Sequence, residues 1–359
     1  MLVVVHHVWT GRVSGGVDVF FVISGFLLTG QLARAAAAGP LDLRRRWSRM
    51  VLRLLPAAVT VLLGTVVAAA LLLPEGRWLQ TVREVAATAL FLENWQLAAD
   101  SVDYAARSNA TSVVQHFWSL SIQVQFFVAW PLAVALLVLV ARGAAHRLHA
   151  HLTLTLLGVF AASLAFSVAL TAADQPLAYF NSLTRLWEFA LGGLLALWID
   201  RFPWTRGERV GFGWTGVLGL LACGFVLDGA SVFPGYAALW PTVCAVLVLQ
   251  AGVTRSRYGV DRVLTWRPLQ VVGRMSYALY LWHWPVLVLY MVARDRERLG
   301  PLGGLAVIAT AVVLAVLTSR FVEEPVRRRR IGVGDAYRLG AAAVVVVLLV
   351  ASVWQFAAR

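Results

Sequence analysis

Uninterrupted apolar stretches of about 20 residues recur along the whole sequence, as in "AAVTVLLGTVVAAALLL" (57–73) and "GGLAVIATAVVLAVL" (303–317), and they constrain the fold most. At 1.5 Å of rise per residue, ~20 helical residues match the ~30 Å hydrocarbon core of a bilayer. Barrel strands would need short segments of alternating polarity, whereas these runs are continuous, so the spanning unit is the helix. Composition agrees. The 359 residues are 60% hydrophobic and 14% charged, more apolar surface than a soluble core of this size can bury. The expected fold is all-α, a polytopic transmembrane bundle of ten to eleven helices.

Hydropathy places spans near residues 17–33, 51–73, 116–141, 152–172, 183–200, 212–228, 236–253, 271–292, 301–321 and 338–356, with an incomplete one at 1–9. Segment 79–99 is also apolar but carries Arg83, Glu84, Glu93, Asn94 and Gln96, costly groups for a full span. An interfacial or re-entrant helix is expected there. With this count Arg34, Arg44–Arg46, Arg49, Arg53, Arg142, Arg147, Arg201, Arg206, Arg209, Arg255, Arg257, Arg262, Arg267 and Arg327–Arg330 share one side, which the positive-inside rule makes cytoplasmic. The other side keeps Arg12, Arg77 and Arg107, the acids Asp100, Asp103 and Asp228, and one exception, "RDRER" at 294–298. Net charge is +13, and every basic residue is arginine; because these charges lie between spans, they set topology and do not point to nucleic acid. Cys223 and Cys244 sit inside apolar runs, so neither a disulfide framework nor a cysteine metal site is implied. No cleavable signal pattern opens the sequence.

An ionisable side chain within a span is costly and is by default a functional candidate. Such residues cluster: His6, His7 and Asp18; Arg49 and Arg53; His116 with Gln123 and Gln125; Arg185 and Glu188; His283; Glu323 and Glu324. In "VVVHHVWTGRVSGGVDVFFVISGFLLTG", Gly15 and Gly16 permit a sharp turn, and Asp18 opens the next helix within reach of the preceding histidines. A carboxylate that orients an imidazole makes a general base; alternatively Asp18 only caps its helix. Arg185 and Glu188, three apart, pair on one helix face either as a structural bridge or as part of a site. Glu323 and Glu324 end a helix and read as structural. His146, His149 and His151 form a spaced group beside Arg142 and Arg147, but no metal site is expected there.

Six ordered signatures carry a resemblance: the histidine followed by "GGVDVFFVISGFLLT", then "RRRWSRMVLRLLP", "HFWSLSIQVQFFVAWPL", "TRLWEFALGGLLA", "SYALYLWHWPV" and "FVEEPVRRR". The sequence resembles the membrane acyltransferase-3 family of bacterial O-acyltransferases over essentially its whole length. The resemblance implies a multi-pass protein of the bacterial cell membrane that moves an acyl group, usually acetyl from acetyl-CoA, to a hydroxyl of an extracytoplasmic glycan or glycolipid. Acyl-CoA would be a cosubstrate, with no cofactor permanently bound. Residues 1–330 correspond to the acyltransferase domain, with its first helix incomplete, and 331–359 to an additional helix. In many relatives with that helix the chain continues into an SGNH hydrolase-like domain, so a fused enzyme is one expectation.

Carried over by position, the family's catalytic histidine is His7, with Asp18 as its orienting partner. Arg49 and Arg53 match the basic residues before Leu-Pro and would bind acyl-CoA phosphates, while Arg44–Arg46 set topology. Trp118, Ser119, Gln123, Gln125, Arg185, Glu188 and His283 would position substrate, His283 equally being a packed, hydrogen-bonded residue. One departure bears on the chemistry: a Glu pair common in the family is here Gln123 and Val124, and glutamine holds a hydrogen bond but cannot exchange a proton at neutral pH. Ser24 is a candidate acyl carrier or a packing residue beside Gly25. Two other readings stay open. A transporter or flippase would also bury such residues, and a truncated first helix would suit an inactive relative.

Overall fold

The computed structural model describes residues 2–10, 15–102, 111–141, 145–226, 232–296 and 298–357. Arg12, Asp103, Arg107, Arg142, Asp228 and Glu297, which entered the charge argument, lie outside the described residues, as do the side chains of His6 and His146. The regular structure described is helical. Helices α1 (Gly16–Ala38) and α2 (Leu43–Leu72) precede two shorter ones, α3 (Trp78–Ala89) and α4 (Glu93–Val102). There follow α5 (Phe117–Val140), α6 (Ala145–Ala173), α7 (Leu186–Trp198), α8 (Arg206–Val226) and the short α9 (Leu239–Ala251). The last three are α10 (Ser276–Ala293), α11 (Pro301–Thr318) and α12 (Val333–Ala357). Among the described residues, nine helical segments are long and apolar enough to cross a membrane. Large apolar side chains such as Leu71, Leu139 and Leu302 stand exposed on them, as befits a protein whose solvent is lipid. It is a multi-pass membrane protein.

Two sequence expectations shift. The span expected at 236–253 is a shorter apolar helix, Tyr236–Ala251, ended by Gly252 at φ 52°. The span expected at 271–292 is interrupted at Met275, between a separate short helix, Arg267–Arg274, and α10. Segment 79–99 becomes α3 and α4, reversed at Phe91 with φ 55°. Both its acids, Glu84 and Glu93, are buried.

Three features position the site. Gly15 adopts φ 66°, and a Cβ there would lie 2.6 Å from Pro241, so the turn into α1 demands glycine on both counts. Further along, α1 and α7 cross with their backbones in contact. A Cβ on Gly25 would stand 2.0 Å from the Phe189 carbonyl oxygen, and one on Gly192 1.9 Å from that of Val22, the close approach that small residues allow between membrane helices. The N-terminal stretch, one helical turn (Leu2–Val5) running into a π-turn (His6–Thr10), is held by Val4 and Val8 packing with Ala278, Leu279, Val307 and Ala311 of α10 and α11. α12 packs along α2 and α3, with Tyr337 donating to the Arg44 carbonyl and Trp354 against Trp78.

Candidate active site

His7 occupies the π-turn, a wide helical geometry frequent at functional sites. Its Nδ1 lies 3.1 Å from Nε2 of His283 on α10, the rings are stacked at 5.3 Å and 15°, and Trp284 meets His7 edge-on at 5.1 Å. His283 is fully buried, with its Nδ1 2.5 Å from the Tyr280 carbonyl oxygen. A carbonyl only accepts, so His283 carries its proton on Nδ1. In the neutral ring Nε2 is then an acceptor, and the hydrogen between the two histidines belongs to His7 Nδ1. Consequently the lone pair of a neutral His7 is on Nε2.

Asp18 is engaged elsewhere. Its Oδ1 accepts from Arg185 Nη1 at 3.0 Å, and the same nitrogen donates to Glu188 Oε1 at 3.2 Å; all three side chains are at most 2% exposed. Arg185 also donates to the Tyr179 carbonyl and lies over the Trp118 and Tyr179 rings, at 5.2 and 5.0 Å. The expected His7–Asp18 pairing therefore gives way to two pairings, His7 with His283 and Asp18 with Arg185. The physical reason is charge: a buried carboxylate gains more from a guanidinium than from a neutral imidazole. Trp118, Arg185 and Glu188 thus stand together, with Asp18 among them.

Around His283 a second polar group assembles. Ser119 Oγ and Tyr280 Oη are 2.7 Å apart, and Tyr280 Oη donates to the His116 carbonyl at 2.8 Å. The His116 ring packs edge-on against His283 at 5.6 Å and Tyr280 at 5.4 Å. Gln123 donates to Ser24 at 2.8 Å, while its buried carbonyl oxygen has no partner among the described residues. Gln125, by contrast, is fully used: it donates to Phe91 O and Asn94 Oδ1 and accepts from Ser182 and Trp95. It ties α4 to α5 and leaves nothing for a substrate.

At the opposite end of α1, Arg45, Arg46 and Arg49 line one cleft of ~210 Å³ together with Ala35, Pro40, Leu41 and Asp42. Arg45 and Arg46, expected only to set topology, join Arg49 there. Arg53 is not among the residues lining that cleft; its charge acts on Glu323 and Tyr277. Glu323 accepts from Ser319 at 3.2 Å, and Glu324 pairs with Arg328. His149 lies 3.3 Å from the Leu197 carbonyl and packs on Trp198.

A family model described as an acyltransferase domain matches residues 1–320. The chain belongs to the acyltransferase-3 family. Among relatives, YrhL of Bacillus subtilis (strain 168), provisionally named a peptidoglycan O-acetyltransferase, is 30% identical over 332 residues, 89% of this chain and 51% of YrhL. O-acetyltransferase OatA of Staphylococcus aureus (strain NCTC 8325 / PS 47) is 26% identical over 341 residues, 91% of this chain and 55% of that protein. Peptidoglycan O-acetyltransferase OatA of Listeria monocytogenes is 25% identical over 328 residues, 87% of this chain and 51% of its own length. The chain spans about half the length of these curated relatives. No solved structure matches it significantly.

For this acyltransferase-3 family member, sequence reasoning singled out His7 but not the contact that orients it. The signal was present in "SYALYLWHWPV", where a histidine amid aromatic residues reads equally as packing. In sequence, His116 reads as one more polar residue at membrane depth with no role attached.

Proposed function

We propose that the protein is an integral-membrane O-acyltransferase that moves acetyl from acetyl-CoA to a hydroxyl of an extracytoplasmic glycan of the peptidoglycan type, with His7 as general base. The observation that carries this reading is the proton order along Tyr280 carbonyl, His283 and His7, which leaves Nε2 of a neutral His7 as the basic atom. The family and the names of its relatives supply the reaction class.

In this mechanism the acceptor hydroxyl gives its proton to His7 Nε2 as its oxygen bonds to the thioester carbon. The carbon–sulfur bond then breaks, and the proton passes from His7 to the departing sulfur, so that CoA leaves as the thiol. His283 keeps its own proton and holds His7 in one orientation. Phosphates of the donor bind the cleft of Arg45, Arg46 and Arg49, where guanidinium forks suit phosphate oxygens. That cleft and His7 lie near opposite ends of α1, 23 residues or ~34 Å long, so the donor's pantetheine arm has to reach deep into the bundle to bring the thioester to His7.

The test is CoA release from acetyl-CoA by the purified protein in the presence of peptidoglycan glycan fragments. Wild-type protein is expected to release CoA and acetylate the glycan, and His7→Ala to lose both while eluting as wild type in detergent. Undiminished transfer by His7→Ala would remove His7 as base. A wild-type protein that releases no CoA would favour a transport role instead.

A further inference from the structure

His116 is 3% exposed, and among the described residues neither ring nitrogen meets a partner in good hydrogen-bond geometry, although the Leu281 backbone lies close enough to act on the ring. Burying a donor and an acceptor without partners is unfavourable, and a native protein retains such a group where something else meets it. The ring's surroundings narrow what that is. It packs against Phe117, Tyr280 and His283, and His283 in turn stacks on His7. Its place is fixed from behind: His116 is the N-cap of α5, and its own carbonyl accepts from Tyr280 Oη at 2.8 Å. A neutral imidazole has one N–H to give. Among the described residues, His116 is thus a buried donor with no well-formed hydrogen bond, separated from the base by one ring.

We propose that His116 is a catalytic residue that donates its N–H to the acyl carbonyl oxygen and stabilises the oxyanion formed when the acceptor attacks. This rests on the acyl-transfer reading above. When the acceptor oxygen bonds to the thioester carbon, the carbonyl electron pair moves onto oxygen, and the His116 N–H bonds to that oxyanion without transferring its proton. When the carbon–sulfur bond breaks, the pair returns to re-form the carbonyl and the bond to His116 weakens. The proton removed from the acceptor travels through His7, so the two histidines have separate duties. A donor held in place before reaction costs no reorganisation at the transition state, which makes this kind of contact effective.

The experiment measures steady-state CoA release from acetyl-CoA with peptidoglycan glycan fragments, using the full chain in detergent, for His116→Phe, His116→Asn, His7→Ala and wild type, alongside thermal unfolding. His116→Phe fills similar space without a donor and should lower kcat by about 10²–10³-fold while KM for acetyl-CoA stays within threefold. His116→Asn, which keeps an N–H, should recover at least tenfold of that loss. Since the ring makes no well-formed hydrogen bond among the described residues, His116→Phe should unfold at the same temperature as wild type or higher. A merely structural histidine would give lower unfolding temperatures together with lower activity, and that pattern overturns the proposal. So does a kcat for His116→Phe within threefold of wild type. If His7→Ala is inactive while His116→Phe is active, only the role of His116 fails; if His7→Ala retains wild-type activity, the underlying acyl-transfer reading fails with it.

Discussion

Two imidazoles in contact differ in what surrounds them, and that difference assigns their duties. His283 is enclosed, its Nδ1 committed to the Tyr280 carbonyl, so it can only accept from His7, and in the proposed mechanism it is a positioning residue. His283→Phe is expected to preserve the stack but lose the acceptor, lowering kcat about 10²-fold with little change in KM. His283→Gln, which can accept through its amide oxygen, should recover part of the rate, and equal loss in both variants would argue for packing alone. Asp18 falls under different physics. Asp18→Ala leaves Arg185 buried with one carboxylate fewer, and breaking a buried pair costs about 3–5 kcal/mol, so the main effect is expected on thermal unfolding. Wild-type stability in that variant would contradict the triad. Here lies the limit of what residue order makes legible. His7 and Asp18 are 11 positions apart across a glycine turn, and spacing alone favours pairing them. The better partner for Asp18 stands 167 positions away, and nothing local announces it.

Helices that cross at backbone contact tolerate no added atoms. Gly25 and Gly192 face carbonyl oxygens of the opposite helix, and because backbone cannot turn aside as a side chain does, overpacking should reach the upper part of the usual range, about 3 kcal/mol. Gly192→Val is therefore expected to reduce the yield of folded protein and its unfolding temperature, measured in detergent, and to disturb the triad because α1 carries Asp18 and α7 carries Glu188. The α3–α4 pair responds to pH instead. Burial pushes the Glu84 carboxyl up to about 7, and that of Glu93 is also raised well above its ordinary value by burial and by the Glu84 charge. A raised carboxyl favours the protonated folded state, so its contribution is fully present below the unfolded pKa of 4.5 and is lost as pH rises through about 7. Across that window Glu84 should account for a loss of roughly 3 kcal/mol, and Glu84→Gln should flatten the pH dependence of unfolding temperature. An unchanged slope would mean that water reaches the carboxylate. Long spans were legible because lipid demands ~20 apolar residues regardless of tertiary context. The breaks were not: Met275, Phe91 and Gly252 interrupt helices where packing decides, and hydropathy averages over such points.

Across the whole molecule, charge and chemistry separate to opposite ends of the bundle. The arginine cleft sits where α1 hands over to α2, and the histidine group sits where the N-terminal π-turn meets α10. In the proposed mechanism, binding at the cleft is made equally in ground state and transition state, because the donor phosphates would lie far from the reacting carbon. Interactions of that kind set KM and leave kcat alone. Arg46→Ala and Arg49→Ala are each expected to raise KM for acetyl-CoA, about tenfold for loss of one charge-assisted phosphate contact, at unchanged saturating rate, and the double variant should multiply the two effects if each arginine holds its own oxygen. Arg53→Ala is the comparison: Arg53 is not among the residues that line the cleft, so it should affect KM less than either. Sequence reasoning grouped Arg49 with Arg53 because both precede Leu-Pro. The cleft separates them: Arg49 lines it, and Arg53, one helical turn further along α2, does not. If Arg53→Ala raises KM as much as Arg49→Ala, the donor follows a different route into the bundle, past Glu323 and α11, and the cleft at the α1–α2 junction serves only to fix which side of the membrane it faces.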